Sequence, residues 1–232
     1  MIRVIDNFYD DPDKMRREGL TSKYQLISNG NYPGRDSLNR MYLTPELQTK
    51  IQNLFPGDEY KVQCSRFRYA LGDDTYMSYV HADSYGRRAG WHILVYLTPD
   101  PPFRDGISLY TSPSGDRFWK EVYEKRDSWD FPDWTKWNEV EYKYNRAVVI
   151  DYSYFHAPMN RGGFGTSIEN SRLMHIIEVI NVNSPANKNG IFSERVSMPV
   201  NHHPDRRKND DQTLLWSDAE TAAYERIEYL KY

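Results

Sequence analysis

The pattern of apolar and polar residues changes near residue 60 of the 232-residue chain. Before this point apolar side chains recur at helical spacing, most clearly at Leu47, Ile51 and Leu54, which would share one face of a helix. A shorter helix is predicted over residues 12–18, where a proline opens the segment. The first part of the chain is therefore predicted to contribute two helices.

After this point the chain has the pattern of short β-strands separated by turns rich in Gly, Pro and Asp. Strands are predicted over residues 61–71, 79–83, 91–97, 106–111, 139–143, 147–152 and 173–182. One earlier strand is predicted over residues 2–8, and residues 28–40 are predicted to form a loop. Many short strands with such turns favour an all-β sandwich or barrel.

The length suits a single domain that covers residues 1–232. Its expected parts are an N-terminal segment with a strand and helices, a β core, an aromatic insertion within that core, and a polar C-terminal segment, at residues 1–59, 60–182, 114–138 and 183–232. A helix is predicted over residues 217–230. The insertion is interpreted either as a flap packed over the core or as a lid that shapes a substrate cleft.

Composition narrows the functional classes only slightly. The formal net charge of -3 and the pI near 6.1 give no electrostatic argument for a nucleic-acid partner. A single cysteine, Cys64, allows no intrachain disulfide and suits a reducing compartment. No apolar stretch approaches the length of about 20 residues that spans a bilayer. We expect a cytoplasmic protein with a small-molecule or peptide substrate and no membrane partner.

The candidate chemistry lies in a few polar residues at strand ends. His81 and Asp83 stand two apart, so on a strand both would project to the same face. His156 follows the predicted strand at 147–152 and could approach the same point from another strand. Two histidines and one carboxylate form the ligand set that leaves metal positions open in non-haem Fe(II) oxygenases. His92 and His175 are interpreted as packed strand residues, and a zinc site with the same ligand types is an alternative.

These residues belong to a longer ordered series along the chain. The series is Tyr69, His81-Ala82-Asp83, Tyr96-Leu97, Asp105-Gly106, His156 and Arg172. In this order the chain resembles the 2-oxoglutarate- and Fe(II)-dependent oxygenases, specifically their prolyl-4-hydroxylase-like branch, over about residues 60–182. It is also similar to small oxygenases carried by tailed phages. The resemblance implies a mainly β fold with flanking helices, built on a double-stranded β-helix or jelly-roll core.

The resemblance also implies the cofactors and their ligands. His81, Asp83 and His156 would bind Fe(II) on one side, which leaves three positions for 2-oxoglutarate and O2. Arg172 would pair with the C5 carboxylate of 2-oxoglutarate, since its planar fork can bind a carboxylate through two hydrogen bonds. Arg161, in a glycine-rich loop, is the alternative for that role.

Two tyrosines complete the site that the resemblance implies. Tyr69 and Tyr96 would donate hydrogen bonds to the co-substrate. The expected reaction is hydroxylation of a C–H bond in a peptidyl or free amino acid, with release of succinate and CO2. The alternatives are a nucleic-acid base or nucleotide oxygenase on the same core, and a jelly-roll binding module without catalytic activity.

Overall fold

The computed structural model describes residues 2–184, with the exception of 27–33, 57–59, 75–79, 84–88, 105, 113–114, 118–133 and 159–162. Most of the predicted insertion and nearly all of the C-terminal segment, including the helix predicted over 217–230, lie outside the described residues. Among the described residues, no helix is long and apolar enough to cross a membrane.

Strands dominate the described part of the chain. They are β1 (Ile2–Ile5), β2 (Tyr24–Leu26), β3 (Arg35–Ser37), β4 (Tyr60–Ala70), β5 (Gly90–Tyr96), β6 (Ile107–Thr111), β7 (Thr135–Val140), β8 (Ala147–Asp151), β9 (His156–Pro158) and β10 (Arg172–Asn181). The helices are α1 (Pro12–Thr21) and α2 (Pro45–Leu54), and a 3-10 turn spans Ile168–Asn170.

The strands form two antiparallel sheets. The larger sheet has seven strands in the order β1-β8-β5-β10-β4-β3-β2, and the smaller has three in the order β7-β6-β9. Several neighbours in the large sheet are strands that are distant in sequence, such as β1 with β8 and β4 with β10, whereas β2, β3 and β4 pair in chain order. The mainly β architecture with flanking helices is therefore confirmed.

The large sheet separates two apolar clusters, because successive side chains of a strand point to opposite faces. On β5, Ile93 and Val95 point to the face that α1 and α2 cover. Leu94 and Tyr96 point to the other face and pack with residues of the small sheet such as Leu109. We call these the outer face and the inner face. A side chain of the large sheet can reach the space between the sheets only from the inner face.

Both predicted helices are present, and each begins at a side-chain cap followed by proline. The Asp11 carboxylate accepts a hydrogen bond from the backbone N–H of Lys14 at 2.9 Å. The Thr44 hydroxyl accepts from the backbone N–H of Leu47 at 3.2 Å, as an N-cap does. The second helix buries its predicted apolar positions against the outer face, whereas the first extends three residues beyond its predicted end.

The outer face also holds a buried histidine. His175 lies 2.6 Å from the Tyr9 hydroxyl through Nδ1 and 2.8 Å from the Ser65 hydroxyl through Nε2. Burial lowers the pKa of His175 to about 3, so the ring is neutral in the fold. The interpretation of His175 as a packed strand residue is confirmed, and Cys64 is likewise a buried free thiol.

Three predictions of secondary structure were wrong. Residues 28–40 were predicted to form a loop, but Arg35–Ser37 forms β3, and Tyr24–Leu26 beside it forms β2. β3 is wholly polar and β2 has only three residues, so neither shows a sustained alternation, and only the pairing of β2 with β3 and of β3 with β4 reveals them. Of residues 80–83, within the strand predicted over 79–83, only His81 pairs, in an isolated bridge. The strand predicted over 139–143 begins earlier, at Thr135, and ends at Val140.

Candidate metal centre

Backbone pairing brings His81 and His156 side by side. The two residues form an antiparallel bridge in which the N–H of His81 donates to the carbonyl of His156 at 3.0 Å and the reverse bond is 2.9 Å. His156 opens β9, which pairs with β6 so that Leu109 lies opposite it. Because Leu109 packs in the inner cluster, this register directs His156 into the space between the sheets. The two imidazole rings are 4.5 Å apart between centroids.

Asp83 supplies the third group of the centre. Its backbone N–H donates to the carbonyl of Tyr152 at 2.8 Å, which places the residue beside the end of β8. Its Oδ1 lies 3.7 Å from Nε2 of His81, and its Oδ2 lies 3.4 Å from Nε2 of His156. One ligand atom from each of the three residues lies within 4.8 Å of the other two, and all three side chains are buried.

This spacing fits a single metal ion. Ligand atoms that are about 2.1 Å from one metal and at right angles to each other lie about 3 Å apart. The two separations that involve Asp83 are slightly wider, at 3.7 and 3.4 Å, and all three ligand atoms lie within 4.8 Å of one another. His81 and Asp83 of the H-x-D motif therefore direct their side chains to the same metal position, although residues 81–83 do not form a strand. We refer to His81, Asp83 and His156 as the triad.

The protonation state of His156 suits a metal ligand. Its Nδ1 lies 2.9 Å from the carbonyl oxygen of Tyr154, which can only accept, so Nδ1 carries the proton. The lone pair of Nε2 is thus directed at the triad. Burial lowers the pKa of His156 to about 4, which keeps the imidazole neutral at neutral pH. A neutral imidazole with its second nitrogen held by a carbonyl is the usual form of a metal-bound histidine.

Asp83 is an anion inside the protein. Burial opposes its charge, but the neighbouring His92, His156 and His81 outweigh this effect and hold the pKa of the Asp83 carboxyl below its usual range. One buried carboxylate with two imidazole donors is a donor set for a divalent cation. Neutralisation by such a cation would offset the cost of burying the negative charge.

Sequence reasoning missed the role of His92. It lies on the inner face of β5, with Nδ1 3.0 Å from Oδ2 of Asp83 and Nε2 3.7 Å from Oε1 of Glu178. Burial disfavours the charged ring, yet the two carboxylates outweigh it and raise the pKa of His92 to about 9. Counting in twos back from Tyr96 would have placed His92 on the same face. The earlier interpretation of this histidine as packing alone was therefore incomplete.

Two further buried polar residues, Arg172 and Tyr96, lie at the other end of the inner cluster. Arg172 opens β10 and is buried, and its Nη2 donates to the carbonyl of Gly106 at 3.2 Å. The ring of Tyr96 stacks on that of Tyr142 with centroids 4.2 Å apart, and burial raises the pKa of the Tyr96 hydroxyl so that it stays protonated. Neither Arg172 Nε nor the Tyr96 hydroxyl has a hydrogen-bond partner among the described residues.

Two buried polar groups without partners mark a place for a ligand. A buried donor that lacks an acceptor costs about 1–3 kcal/mol, so native proteins seldom leave one unsatisfied. A guanidinium and a phenol together suit a carboxylate. Gly106 immediately precedes β6 and is three residues from Leu109, which lies opposite His156. This offset places Arg172 roughly 10 Å along the strand from the triad, a span that suits a small dicarboxylate.

The structure does not bring Tyr69 to this site. Tyr69 lies on the outer face of β4, where its ring meets that of Tyr24 at 4.7 Å and the Arg35 guanidinium lies 5.3 Å from its centroid. The neighbouring position, Arg68, is the one that points inward. A strand buried on both faces gives no alternation from which to choose between the two. The alternative carboxylate partner, Arg161, lies outside the described residues.

Comparison with known proteins establishes the fold. No family model and no curated protein sequence matches the chain. The solved structure of SnoN, a non-haem α-ketoglutarate-dependent epimerase from nogalamycin biosynthesis, matches with a TM-score of 0.53 and 10% identity over 78% of each chain. The carbocyclase SnoK from the same biosynthesis matches with a TM-score of 0.53 and 15% identity over 78% of this chain and 80% of that one.

The predicted fold is thereby confirmed. The chain has the double-stranded β-helix fold of the 2-oxoglutarate/Fe(II) oxygenases (α-ketoglutarate is another name for 2-oxoglutarate). A prolyl hydroxylase from Trichoplax adhaerens, solved with a peptide fragment, matches at a TM-score of 0.48 with 10% identity over 82% of this chain and 86% of that one. This overall similarity is too low to select the prolyl-hydroxylase branch.

Proposed function

We propose that the protein is an Fe(II)- and 2-oxoglutarate-dependent oxygenase. The observation that carries the proposal is the pairing, within one buried space, of the triad with the two unsatisfied polar groups of Arg172 and Tyr96. The fold alone would not suffice, since one fold hosts many functions. The two ends of the site match the two ends of 2-oxoglutarate, which chelates a metal at one end and carries a carboxylate at the other.

His81, Asp83 and His156 would hold the iron through two Nε2 atoms and one carboxylate oxygen. The chemistry that iron supplies when bound is to couple the oxidative decarboxylation of 2-oxoglutarate by O2, with release of succinate and CO2, to the oxidation of a substrate C–H bond. The protein contributes position and a dry environment. Its neutral His156 and anionic Asp83 need no proton transfer before the ion binds.

Arg172 and Tyr96 would orient the co-substrate. The guanidinium would pair with the C5 carboxylate, and the Tyr96 hydroxyl would donate to one of its oxygens. The stack of Tyr96 on Tyr142 fixes the direction of that hydroxyl. Tyr142 is itself held, since its hydroxyl donates to the carbonyl of Leu173 at 2.5 Å. The carboxylate would thus enter a preorganised site with little side-chain ordering left to complete.

We further propose a peptidyl or free amino acid as the substrate and hydroxylation as the outcome, on the strength of the sequence resemblance. SnoN is an epimerase and SnoK is a carbocyclase, so this fold carries other outcomes as well. The choice among them depends on how the substrate C–H bond is held next to the triad. The cofactor proposal is therefore independent of the substrate proposal and is tested first.

Anaerobic titration of the Fe(II)-loaded protein with 2-oxoglutarate tests the cofactor proposal. Chelation of the ion by the 2-oxo acid should produce a weak metal-to-ligand charge-transfer band in the visible range. Admission of O2 should then yield succinate, slowly without substrate and faster with it. A protein that carries iron but shows neither the band nor succinate would contradict the proposal.

Replacing Tyr96 with phenylalanine should have different effects on the free protein and on its binding of 2-oxoglutarate. Without ligand, the variant loses a buried hydroxyl that has no partner among the described residues, so its unfolding free energy should stay equal or rise. With 2-oxoglutarate, it loses a hydrogen bond to a charged group, worth about 1.5–3 kcal/mol, and the Kd should rise at least about 10-fold. Chemical unfolding and the charge-transfer titration measure the two effects. A Kd equal to that of the wild type would exclude Tyr96 from the co-substrate site.

A further inference from the structure

We propose that His92 is a positioning residue for the carboxylate of Asp83, and that a line of buried charges across the inner face of the large sheet holds His92 in place. The inference rests on the proposed metal-binding role of the triad and deepens it. His92 would not bind the metal. It would act through Asp83, and its effect would appear in the affinity and ligand geometry of the metal.

The first link is the contact between His92 and Asp83. Nδ1 of His92 lies 3.0 Å from Oδ2 of Asp83, nearer than either triad histidine lies to that carboxylate. The terminal torsion of an aspartate is broad, so a carboxylate without a fixed donor can turn about its axis. A donor on one oxygen fixes the carboxylate plane and determines which lone pairs face the metal position.

The second link fixes the imidazole itself. Glu178 on β10 lies directly opposite His92 in the sheet, and its Oε1 is 3.7 Å from Nε2 of His92. Glu178 is fully buried. The edge of Tyr152 meets the ring of His92, with centroids 4.8 Å apart. With a carboxylate near each nitrogen and an aromatic ring against one side, the imidazole has one favourable orientation.

The third link continues the line across two more strands. Arg66 on β4 donates to Glu178 through Nη1, and its Nε lies 2.8 Å from Oδ2 of Asp36 on β3. Asp36 in turn accepts from Arg68 through Nε and Nη2, at 2.5 and 2.9 Å. Opposite charges therefore alternate over the three strands next to β5 in the sheet, with Glu178 on β10, Arg66 on β4 and Asp36 on β3.

Stability alone does not account for this line of charges. Buried ion pairs are often no more stabilising than well-packed apolar side chains of the same volume, because desolvation offsets the attraction. Many other side chains of the inner face are apolar, such as Leu94, Ile176 and Val148. The line of charged groups begins beside Asp83, a candidate metal ligand, and ends at Asp36 on the polar strand β3. Partners that hold a ligand in this way typically account for about 10–100-fold in metal affinity.

The test is Co(II) titration of the metal-free, full-length protein, followed by its visible ligand-field spectrum. We compare His92→Leu, which removes the donor, with His92→Asn, whose amide nitrogen can occupy the place of Nδ1 and donate. We expect His92→Leu to weaken Co(II) binding by about 10–100-fold and to change the spectrum. His92→Asn should restore most of the affinity and the wild-type spectrum.

A double-mutant cycle tests the line beyond His92. Glu178→Gln should weaken Co(II) binding in the wild-type protein but have no further effect in the His92→Leu background, since the two residues act through one contact. The matched control is His175→Leu, which removes another buried histidine of the same sheet on its outer face. That change should lower the unfolding free energy and leave the Co(II) affinity of the folded protein unchanged.

The outcomes separate this inference from the proposed function. If the wild type binds Co(II) and His92→Leu binds it equally tightly with the same spectrum, the inference is overturned and the proposed function stands. If His92→Asn is as weak as His92→Leu, a hydrogen bond from residue 92 does not position Asp83, and the inference again fails. If the wild type binds Co(II) no better than His156→Ala, the proposed metal site fails and the inference fails with it.

Discussion

Replacing His156 with alanine is expected to abolish specific Fe(II) binding and, with it, the formation of succinate from 2-oxoglutarate. The change removes one of three protein ligands, and its neutral Nε2 is the ligand atom whose direction the structure defines best. Loss of a residue that only holds a metal ligand in place typically lowers metal affinity by about 10–100-fold. Loss of a direct ligand should therefore lower the Fe(II) affinity by more than about 100-fold. Equilibrium dialysis against Fe(II) under anaerobic conditions measures the affinity.

The control for this variant is another buried histidine with the opposite expectation. His175→Ala removes an imidazole that Tyr9 and Ser65 hold within the outer apolar cluster. It should lower the unfolding free energy by about 1–3 kcal/mol and leave the Fe(II) affinity of the folded protein unchanged. His156→Ala should remain folded without metal, because its bridge to His81 is made by the backbone. Undiminished Fe(II) binding by His156→Ala would show that the ion does not bind at the triad.

Replacing Arg172 with methionine is expected to raise the Kd for 2-oxoglutarate by about 30-fold or more while Fe(II) affinity stays at the wild-type value. Truncating one partner of a buried charge pair costs about 2–5 kcal/mol, and each 1.4 kcal/mol is a factor of ten in Kd. Methionine is an unbranched apolar side chain that can stay buried, although it is shorter than arginine, and it offers no hydrogen-bond donor. The charge-transfer band reports 2-oxoglutarate binding, and metal titration without 2-oxoglutarate reports Fe(II) binding.

Two comparisons make the expected result specific to the carboxylate. Arg172→Lys keeps the charge but not the planar fork, so its Kd should fall between those of the wild type and Arg172→Met. A 2-oxo acid without the distal carboxylate, such as 2-oxobutyrate, should bind the wild type and Arg172→Met with the same low affinity. If Arg172→Met binds 2-oxoglutarate as tightly as the wild type does, another cation such as Arg161 pairs with the C5 carboxylate.

The contrast between β4 and β5 shows why some site residues could be predicted and others could not. Of the two tyrosines predicted to contact the co-substrate, Tyr96 lies on the inner face, and a count in twos from it would have found His92 on β5. Tyr69 lies on the outer face, which the sequence could not indicate because most of β4 is buried on both sides. Alternation between polar and apolar residues carries face information only when one face of a strand meets water. Arg68 and Tyr69 therefore gave no sequence signal to distinguish inside from outside.

Local sequence was sufficient for features that depend on neighbours in the chain. The cap at Thr44 and the apolar face of α2 define that helix, and the apolar runs of β5, β8 and β10 define the long strands. The order of the H-x-D step, the distal histidine and the arginine also predicted a metal site and a carboxylate partner. The short strands β2, β3 and β9 did not emerge, because too few residues form each of them to establish a period.

Only the tertiary structure decided which distant residues share the buried space between the sheets. Pairing of β9 with β6 and of His81 with His156 brings together residues 75 positions apart in the chain. The order β5-β10-β4-β3 brings the charged groups of Glu178, Arg66 and Asp36 into one line behind His92. Such contacts follow from long-range strand pairing, in which adjacency in a sheet is independent of distance along the chain. The three residues of the triad, Tyr96 and Arg172 could therefore be predicted from sequence as a candidate site, whereas the contacts of His92, Glu178 and Arg66 behind Asp83 could not.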